Sequence, residues 1–502
     1  MAVILPTFME VLDTSIAAVI LPHIAGSLSA TTDEATWVLT SYLVANAVVL
    51  PASSWFALKF GRRNFLLVCM GIFTLASFVC GAAQSLGMIL IARAVQGAGG
   101  GALQPLSQSI LLESFPPEKR GAAMAAFALG VVVAPVLGPT LGGWLTDQYS
   151  WRWAFYINIP VGIVAAFLIL RFVKDPPYIQ NAHPGRIDAI GLGLLAVWIG
   201  TLQVILDKGQ EDDWFGAIWI RWAVIIVVIT LAAFLIRELV LKNPIVNLKI
   251  FKDRNFAIGC ALIGAVGAVL YAMITLLPLY YQTLMNYTAW AAGLAVSPRG
   301  IGAILIMPVV AVLTAKVDNR YLIAAGFIVF AWSAFWISDL TLEISQWSLL
   351  WPIILSGVGS GLMFVPLSTA TVVTLRNEQI GNATGLFNLL RNIGGSIGIS
   401  LAETLIARRE QLHRSELTRY FAPNRIHPTL LRTESYMSLH SGPWLAKFRA
   451  YELLQNSLNQ QSALYSYVDD FRYIVVICAL CLPIVFIFKP VKAKRGAAPV
   501  GH

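Results

Sequence analysis

The sequence predicts an all-α integral membrane protein with about fourteen transmembrane helices, and three observations predict it. Of 502 residues, 57% are hydrophobic and only 12% charged, about half the charged share of an ordinary soluble domain. The apolar residues fall in continuous runs such as 65–83 and 153–172, long enough at about 1.5 Å per residue to cross a hydrocarbon core of about 30 Å. Lysine and arginine concentrate in alternate loops. In lipid the backbone polar groups must be satisfied internally, which leaves helices or a closed barrel. Barrel strands would be about half this length and alternating, so the segments are helices.

Polar breaks place the spans at roughly 4–25, 36–58, 65–83, 86–111, 121–145, 153–172, 188–206, 217–236, 256–280, 290–315, 321–338, 348–371, 382–406 and 471–488. An even number puts both termini on one side. One set of loops carries Lys59, Arg62, Arg63, Lys119, Arg120, Arg171, Lys174, Arg186, Arg237, Lys242, Lys249, Lys252, Arg254, Lys316, Arg320 and Arg376, with Lys489, Lys492, Lys494 and Arg495 in the tail. By the positive-inside rule that side is cytoplasmic. The alternate loops are acidic, with Asp33, Glu34, Asp147, Asp207, Glu211, Asp212, Asp213, Asp339 and Glu343. One missed span would invert the pattern downstream of it. The long hydrophilic stretch 407–470 then lies outside the cytoplasm, as a mobile loop, an amphipathic helix or a docking surface. The first span, with Glu10 and Asp13 and no basic start, does not read as a signal peptide, and it leaves room for a short cytoplasmic lead before it.

Other classes recede. The net charge of +9 is spread through loops, which argues against nucleic acid as a partner. The five cysteines lie in apolar runs, and Cys478-x-x-Cys481 has no second ligand pair, so neither a disulfide nor a metal site is expected. No G-x-x-x-x-G-K-[ST] run is present, so the energy source is an ion gradient or the solute itself and no cofactor is expected. Among six histidines there is no H-E-x-x-H and no paired nucleophile and base, so the chain does not read as an enzyme.

A charge inside a span costs at least about 2.5–3.5 kcal/mol and needs a partner, an aqueous cavity or a function. The charges so placed are Glu10 and Asp13 in the first span, Arg93 and Glu113 in the fourth, Arg299 in the tenth, and Arg391 and Glu403 in the thirteenth. Glu10 and Asp13 share a helix face. We expect Asp13 to carry the proton, Glu10 to be a second carrier or a cation-attracting group, and Arg93 to tune Asp13 through their changing separation. The alternative is a static pair that fixes helix packing. In the fifth span Gly130, Pro135, Gly138, Pro139, Gly142 and Gly143 lie within fourteen residues, predicting a bend or a tight helix contact. A second cluster, Gly97, Gly99, Gly100 and Gly101, follows Arg93 and Gln96.

These residues resemble the major facilitator superfamily, and within it the fourteen-spanner drug:proton antiporters of the EmrB/QacA type. Phe8-Met-Glu-Val-Leu-Asp13-Thr-Ser-Ile-Ala-Ala-Val-Ile-Leu-Pro22 resembles the family's first-helix motif, with Ala18 where Asn is usual and Ser15 where Thr is usual. Leu-Ile-Ala-Arg93-Ala-Val-Gln96-Gly97 is similar to the fourth-helix motif, whose arginine the family implicates in proton transfer. The run ending Gly138-Pro139-Thr-Leu-Gly142-Gly143 resembles the antiporter motif, and Trp151-Arg-Trp-Ala-Phe-Tyr-Ile-Asn158-Ile-Pro160-Val-Gly162 also resembles the family. The loop after helix two departs from it. Around Lys59, Gly61, Arg62 and Arg63 the usual Asp is Leu58 and the first Gly is Ser54, which removes the carboxylate of the charge-dipole latch and marks the EmrB-like subgroup.

The resemblance implies two six-helix bundles, 1–175 and 250–489, with two inserted helices at 186–240 and a substrate site near the midplane. Its candidate lining residues are Phe8, Tyr42, Asn46, Gln104, Tyr271, Tyr280, Tyr281, Phe387, Asn388 and Arg391. It further implies proton-coupled efflux of lipophilic small molecules across a bacterial inner membrane. EmrB-type exporters work with a periplasmic adaptor and an outer-membrane channel, which makes 407–470 a candidate docking element. The rival readings are a transporter dedicated to one solute, such as a siderophore or a fatty acid, and a non-transporting scaffold or sensor.

Overall fold

A computed structural model of the chain describes residues 2–180, 185, 187–241, 244–419, 431–435 and 443–489. The loop cations Arg186, Lys242, Lys492, Lys494 and Arg495 lie outside the described residues. Among the described residues the regular structure is helical throughout. The helices are α1 (Ile4–Ser27), α2 (Thr32–Phe60), α3 (Arg62–Gly81), α4 (Leu86–Gly100), α5 (Leu103–Ser114), α6 (Pro117–Gln148), α7 (Trp153–Tyr156), α8 (Asn158–Phe172), α9 (Pro177–Gln180), α10 (Ala189–Lys208), α11 (Ile218–Val240), α12 (Arg254–Thr283), α13 (Ala289–Val296), α14 (Pro298–Lys316), α15 (Asn319–Ile337), α16 (Gln346–Val372), α17 (Asn377–Thr418) and α18 (Pro443–Val485).

Among the described residues, twelve stretches are long and apolar enough to cross a bilayer, with α4–α5, α7–α8 and α13–α14 each forming one interrupted span. They match the first twelve expected spans. Large apolar side chains such as Leu75, Ile91, Phe167 and Leu305 point away from the protein, as a lipid-facing surface requires. The places of the thirteenth and fourteenth expected spans are taken by α17 and α18, of 42 and 43 residues. At about 1.5 Å per residue each is roughly twice the hydrocarbon thickness.

That length bears on 407–470, for which a mobile loop, an amphipathic helix and a docking surface are the expected alternatives: much of it is helix. Residues 407–418 continue α17, and 443–470 belong to α18. The two extensions lie side by side. His413 Nε2 sits 2.9 Å from Asp469 Oδ2, Arg409 hydrogen-bonds Tyr473, and the His413 ring packs on Tyr465. These charged residues serve a polar helix pair beyond the apolar segment, and a polar helix leaves no trace in a hydropathy reading. Residues 420–430 and 436–442 fall outside the described set.

The two ends of the chain repeat one packing plan. In the first half α1 packs on α6, α2 on α4, and α3 on α4 and α8. In the second half α12 packs on α17, α14 on α16, and α15 on α16 and α18. Span for span these are the same pairs, so two like bundles face each other. They meet along two seams, α6 against α13, α14 and α16, and α17 against α2 and α5.

The inserted pair lies at the second seam. α10 touches both α2 and α17: Asp207 accepts from Thr40, Lys208 Nζ donates to Thr36 Oγ1 at 2.9 Å, and Gln203 bonds Ser396 at 2.9 Å. Just beyond it, Trp214 Nε1 donates to Thr404 Oγ1 at 3.0 Å. α11 packs on α10 and exposes Ile225, Val228, Ile229 and Ile236.

Candidate functional site: a buried charge network and a central cavity

Sequence spacing puts Glu10 and Asp13 on one face of α1, and the glycines of α4 decide what that face meets. A Cβ on Gly97 or Gly101 would collide with the backbone oxygens of Tyr42 and Asn46, and one on Gly100 would fall 2.6 Å from the Tyr42 hydroxyl. Without side chains there, α4 lies directly against α2. Arg93 is thereby held over the Tyr42 ring at 4.3 Å, with Phe155 at 5.7 Å, and is 0% exposed.

Asp13 and Arg93 form a buried ion pair, Nη1 to Oδ2 at 2.6 Å. Asp13 Oδ1 also accepts from Gln96 Nε2 at 2.9 Å and Asn158 Nδ2 at 2.6 Å. Arg93 donates to Gln96 Oε1 and, through Nε, to the Val38 carbonyl at 3.0 Å. Asn158 reaches Ser77 Oγ at 3.0 Å, and Ser77 donates to the Phe155 carbonyl. One carboxylate thus ties together α1, α4 and α8. Gln96, Asn158 and Ser77 were given no role from sequence. Their neutral side chains carry none of the insertion cost that flags a charge.

Glu10 stands apart from this network. Its Oε1 accepts from Asn46 Nδ2 at 2.9 Å, while Oε2 is buried with no hydrogen-bond partner among the described residues.

A cavity of about 350 Å3 at the bundle interface lies between α1, α6, α12, α13, α14, α16 and α17. Its floor is buried, with Arg299, Ser360, Phe364 and Arg391. At its mouth Ala18, Pro22 and Gln282 are exposed, near the ends of α1 and α12 that lead into acidic or uncharged loops. At the opposite, basic end the bundles are shut. Thr384 Oγ1 donates to the Pro105 carbonyl at 3.1 Å, Asn388 Nδ2 to Gln108 Oε1 at 2.6 Å, and Arg120 Nη2 to Asn377 Oδ1 at 3.4 Å. Phe127 stacks on Phe364 across the other seam, between α6 and α16.

Of the candidate lining residues, Tyr271 and Arg391 line this cavity. The others are placed elsewhere. Gln104 and Asn388 are fasteners of the α5–α17 seam, Gln104 accepting from Arg391. Tyr42 and Asn46 belong to the α2–α4 contact and to Arg93 and Glu10. Tyr280 donates to the Thr341 carbonyl at 2.8 Å, and Tyr281 stacks on Tyr287. Phe387 is a core residue, and Phe8 packs beside Gly130. An aromatic residue in a span satisfies a core as well as a cavity, so residue type alone did not separate them.

The glycine-proline run of α6 makes tight contacts in both directions. Gly130 meets Ile4, Gly138 meets Ser15, and Gly142 meets Ile16, while Ser15 Oγ donates to the Pro135 carbonyl at 3.0 Å. Pro139 rests against Gly293 of the other bundle and Gly143 against Trp290. Pro135 and Pro139 also line the cavity.

In the loop after α2, Gly61 takes φ +85°, a conformation that favours glycine. Lys59 is exposed. Arg62 pairs with Glu113 at 2.9 Å and with the Tyr178 hydroxyl, and burial pushes that hydroxyl above its ordinary range. Arg63 donates its backbone N–H to Asp175 and its Nη2 to the Leu170 carbonyl. These bonds stay within the first bundle, and Leu58 instead lines a cleft with Pro244, Ile245 and Asn247.

A profile described as Major Facilitator Superfamily matches residues 3–399. Fatty acid resistance protein FarB of Neisseria gonorrhoeae is 38% identical over 97% of this chain and 94% of its own. Multidrug export protein EmrB of Escherichia coli (strain K12) is 35% identical over 100% of this chain and 97% of its own. Among solved structures, the human organic anion transporter MFSD10 (TETRAN) superposes with a TM-score of 0.59 at 13% identity, covering 95% of this chain and 98% of that one. At that identity it speaks for the fold alone.

Proposed function

Because this chain belongs to the Major Facilitator Superfamily, we propose that it exports hydrophobic and amphipathic compounds in exchange for protons, its two bundles rocking about the central cavity. The observation that carries the reading is the buried Asp13–Arg93 pair, whose Asp13 lies on the helix that also walls the cavity through Ser15, Ala18, Val19 and Pro22. A proton on Asp13 deletes the ion pair and frees Arg93, so α1 shifts against α4 and carries the cavity wall with it. The names of the relatives, multidrug export for one and fatty acid resistance for the other, agree with an apolar cavity of this kind. The fatty acid name also favours a second reading, transport dedicated to one solute class.

In this reading the basic end faces the cytoplasm with both termini, α17 and α18 supply the thirteenth and fourteenth spans of a bacterial inner-membrane protein, and the cavity opens outward. The helical pair beyond the spans is then the docking element for an adaptor and an outer-membrane channel. No further cofactor takes part. In proteoliposomes with an imposed pH gradient, adding a lipophilic dye substrate should discharge the gradient while the dye moves against its own. Dye movement indifferent to the gradient would remove proton exchange from the account.

A further inference from the structure

Two guanidinium groups at the cavity floor are buried without a salt-bridged carboxylate among the described residues. Arg391 is 2% exposed. Its Nη2 meets the neutral oxygens of Gln104 and, at 3.4 Å, Asn392, while Nε and Nη1 have no hydrogen-bond partner among the described residues. Arg299 is 3% exposed, and its buried Nη1 has no hydrogen-bond partner among the described residues. Other arginines of the interior are provided for: Arg62 has Glu113, Arg93 has Asp13, and Arg152 has the carbonyls of Gly81 and Ala83. Among the described residues no carboxylate forms an ion pair with Arg299 or Arg391. Asp13 is taken by Arg93. Glu10, whose charge acts on Arg391 through space, hydrogen-bonds Asn46.

Burying an unpaired guanidinium costs several kcal/mol. Such a cost is tolerated where a ligand supplies the missing acceptor. Guanidinium is suited to it, because its fork of donors matches the two oxygens of a carboxylate. Above the floor the walls are apolar, with Val19, Val131, Val132, Leu270 and Ile274.

We propose that this cavity binds amphiphiles carrying a single anionic headgroup, the anion seated at Arg299 and Arg391 and the apolar tail lying along the walls toward the mouth. The proposal rests on the reading of the cavity as the substrate site and narrows its substrate class. A purely hydrophobic compound would leave both charges unpaired, and a lipophilic cation would be repelled by them.

The test compares dodecanoate, dodecanol and dodecyltrimethylammonium binding to the purified full-length protein in nanodiscs, by tryptophan fluorescence corrected against empty nanodiscs. Dodecanoate should bind at least about tenfold more tightly than dodecanol, with the cation weakest. Arg299→Gln and Arg391→Gln should each cut that preference severalfold, the double variant should erase it, and Arg391→Lys should keep most of it. Equal affinity of the wild-type protein for dodecanoate and dodecanol would overturn the proposal. So would an undiminished preference in the double variant. Binding as described but without gradient-driven transport would remove the export reading and leave the anion site standing.

Discussion

Asp13 and Arg93 are 80 positions apart in the chain and 2.6 Å apart in the fold. Both were legible from sequence because a charge in a span is expensive, and two opposite charges at similar depth offer the simplest relief. The neutral polar set around them was not legible, since Gln96, Asn158 and Ser77 are cheap to bury once bonded. Asp13→Asn keeps the size of the side chain and removes its charge. It should abolish proton-driven efflux in proteoliposomes while leaving the protein folded, and undiminished gradient-driven transport would exclude Asp13 as the essential carrier. Arg93→Ala leaves a buried carboxylate without its cation, so stability should fall by about 3–5 kcal/mol and coupling should be lost. Thermal unfolding and proton-to-substrate stoichiometry check the two effects separately.

At the scale of elements, the apolar helices could be placed because hydropathy measures the property that puts them in lipid. The outer halves of α17 and α18 escaped the same reading, being held by polar pairs such as His413 with Asp469. Deleting 412–465 should abolish cellular resistance and spare transport in proteoliposomes, and equal loss in both would remove the docking role. The α6 glycines were legible as a contact but not as to their partners. A Cβ on Gly138 overlaps Ser15, whereas one on Gly71 meets nothing within 4 Å. Gly138→Ala should therefore lower stability by about 1–3 kcal/mol through overpacking and slow transport. Gly71→Ala should be neutral or stabilising by up to about 1 kcal/mol, as expected in a helix interior. A common thermal-unfolding series distinguishes them.

The whole molecule is two bundles of like plan, shut at the basic end and parted at the other around a cavity with a buried, charged floor. Charge alternation foretold which loops share a face. It could not foretell which end would be closed, because that depends on contacts between α17 and both α2 and α5 that join residues far apart in sequence. The central claim is that this closed seam must open once in every transport cycle. Ser54 of α2 and Gly381 of α17 face each other there, and a Cβ on Gly381 would lie 3.8 Å from that of Ser54, the usual spacing across a disulfide. In a background lacking the five native cysteines, Ser54→Cys with Gly381→Cys should cross-link on oxidation. Transport in proteoliposomes should then stop and return on reduction; full transport by the fully cross-linked protein would contradict the account.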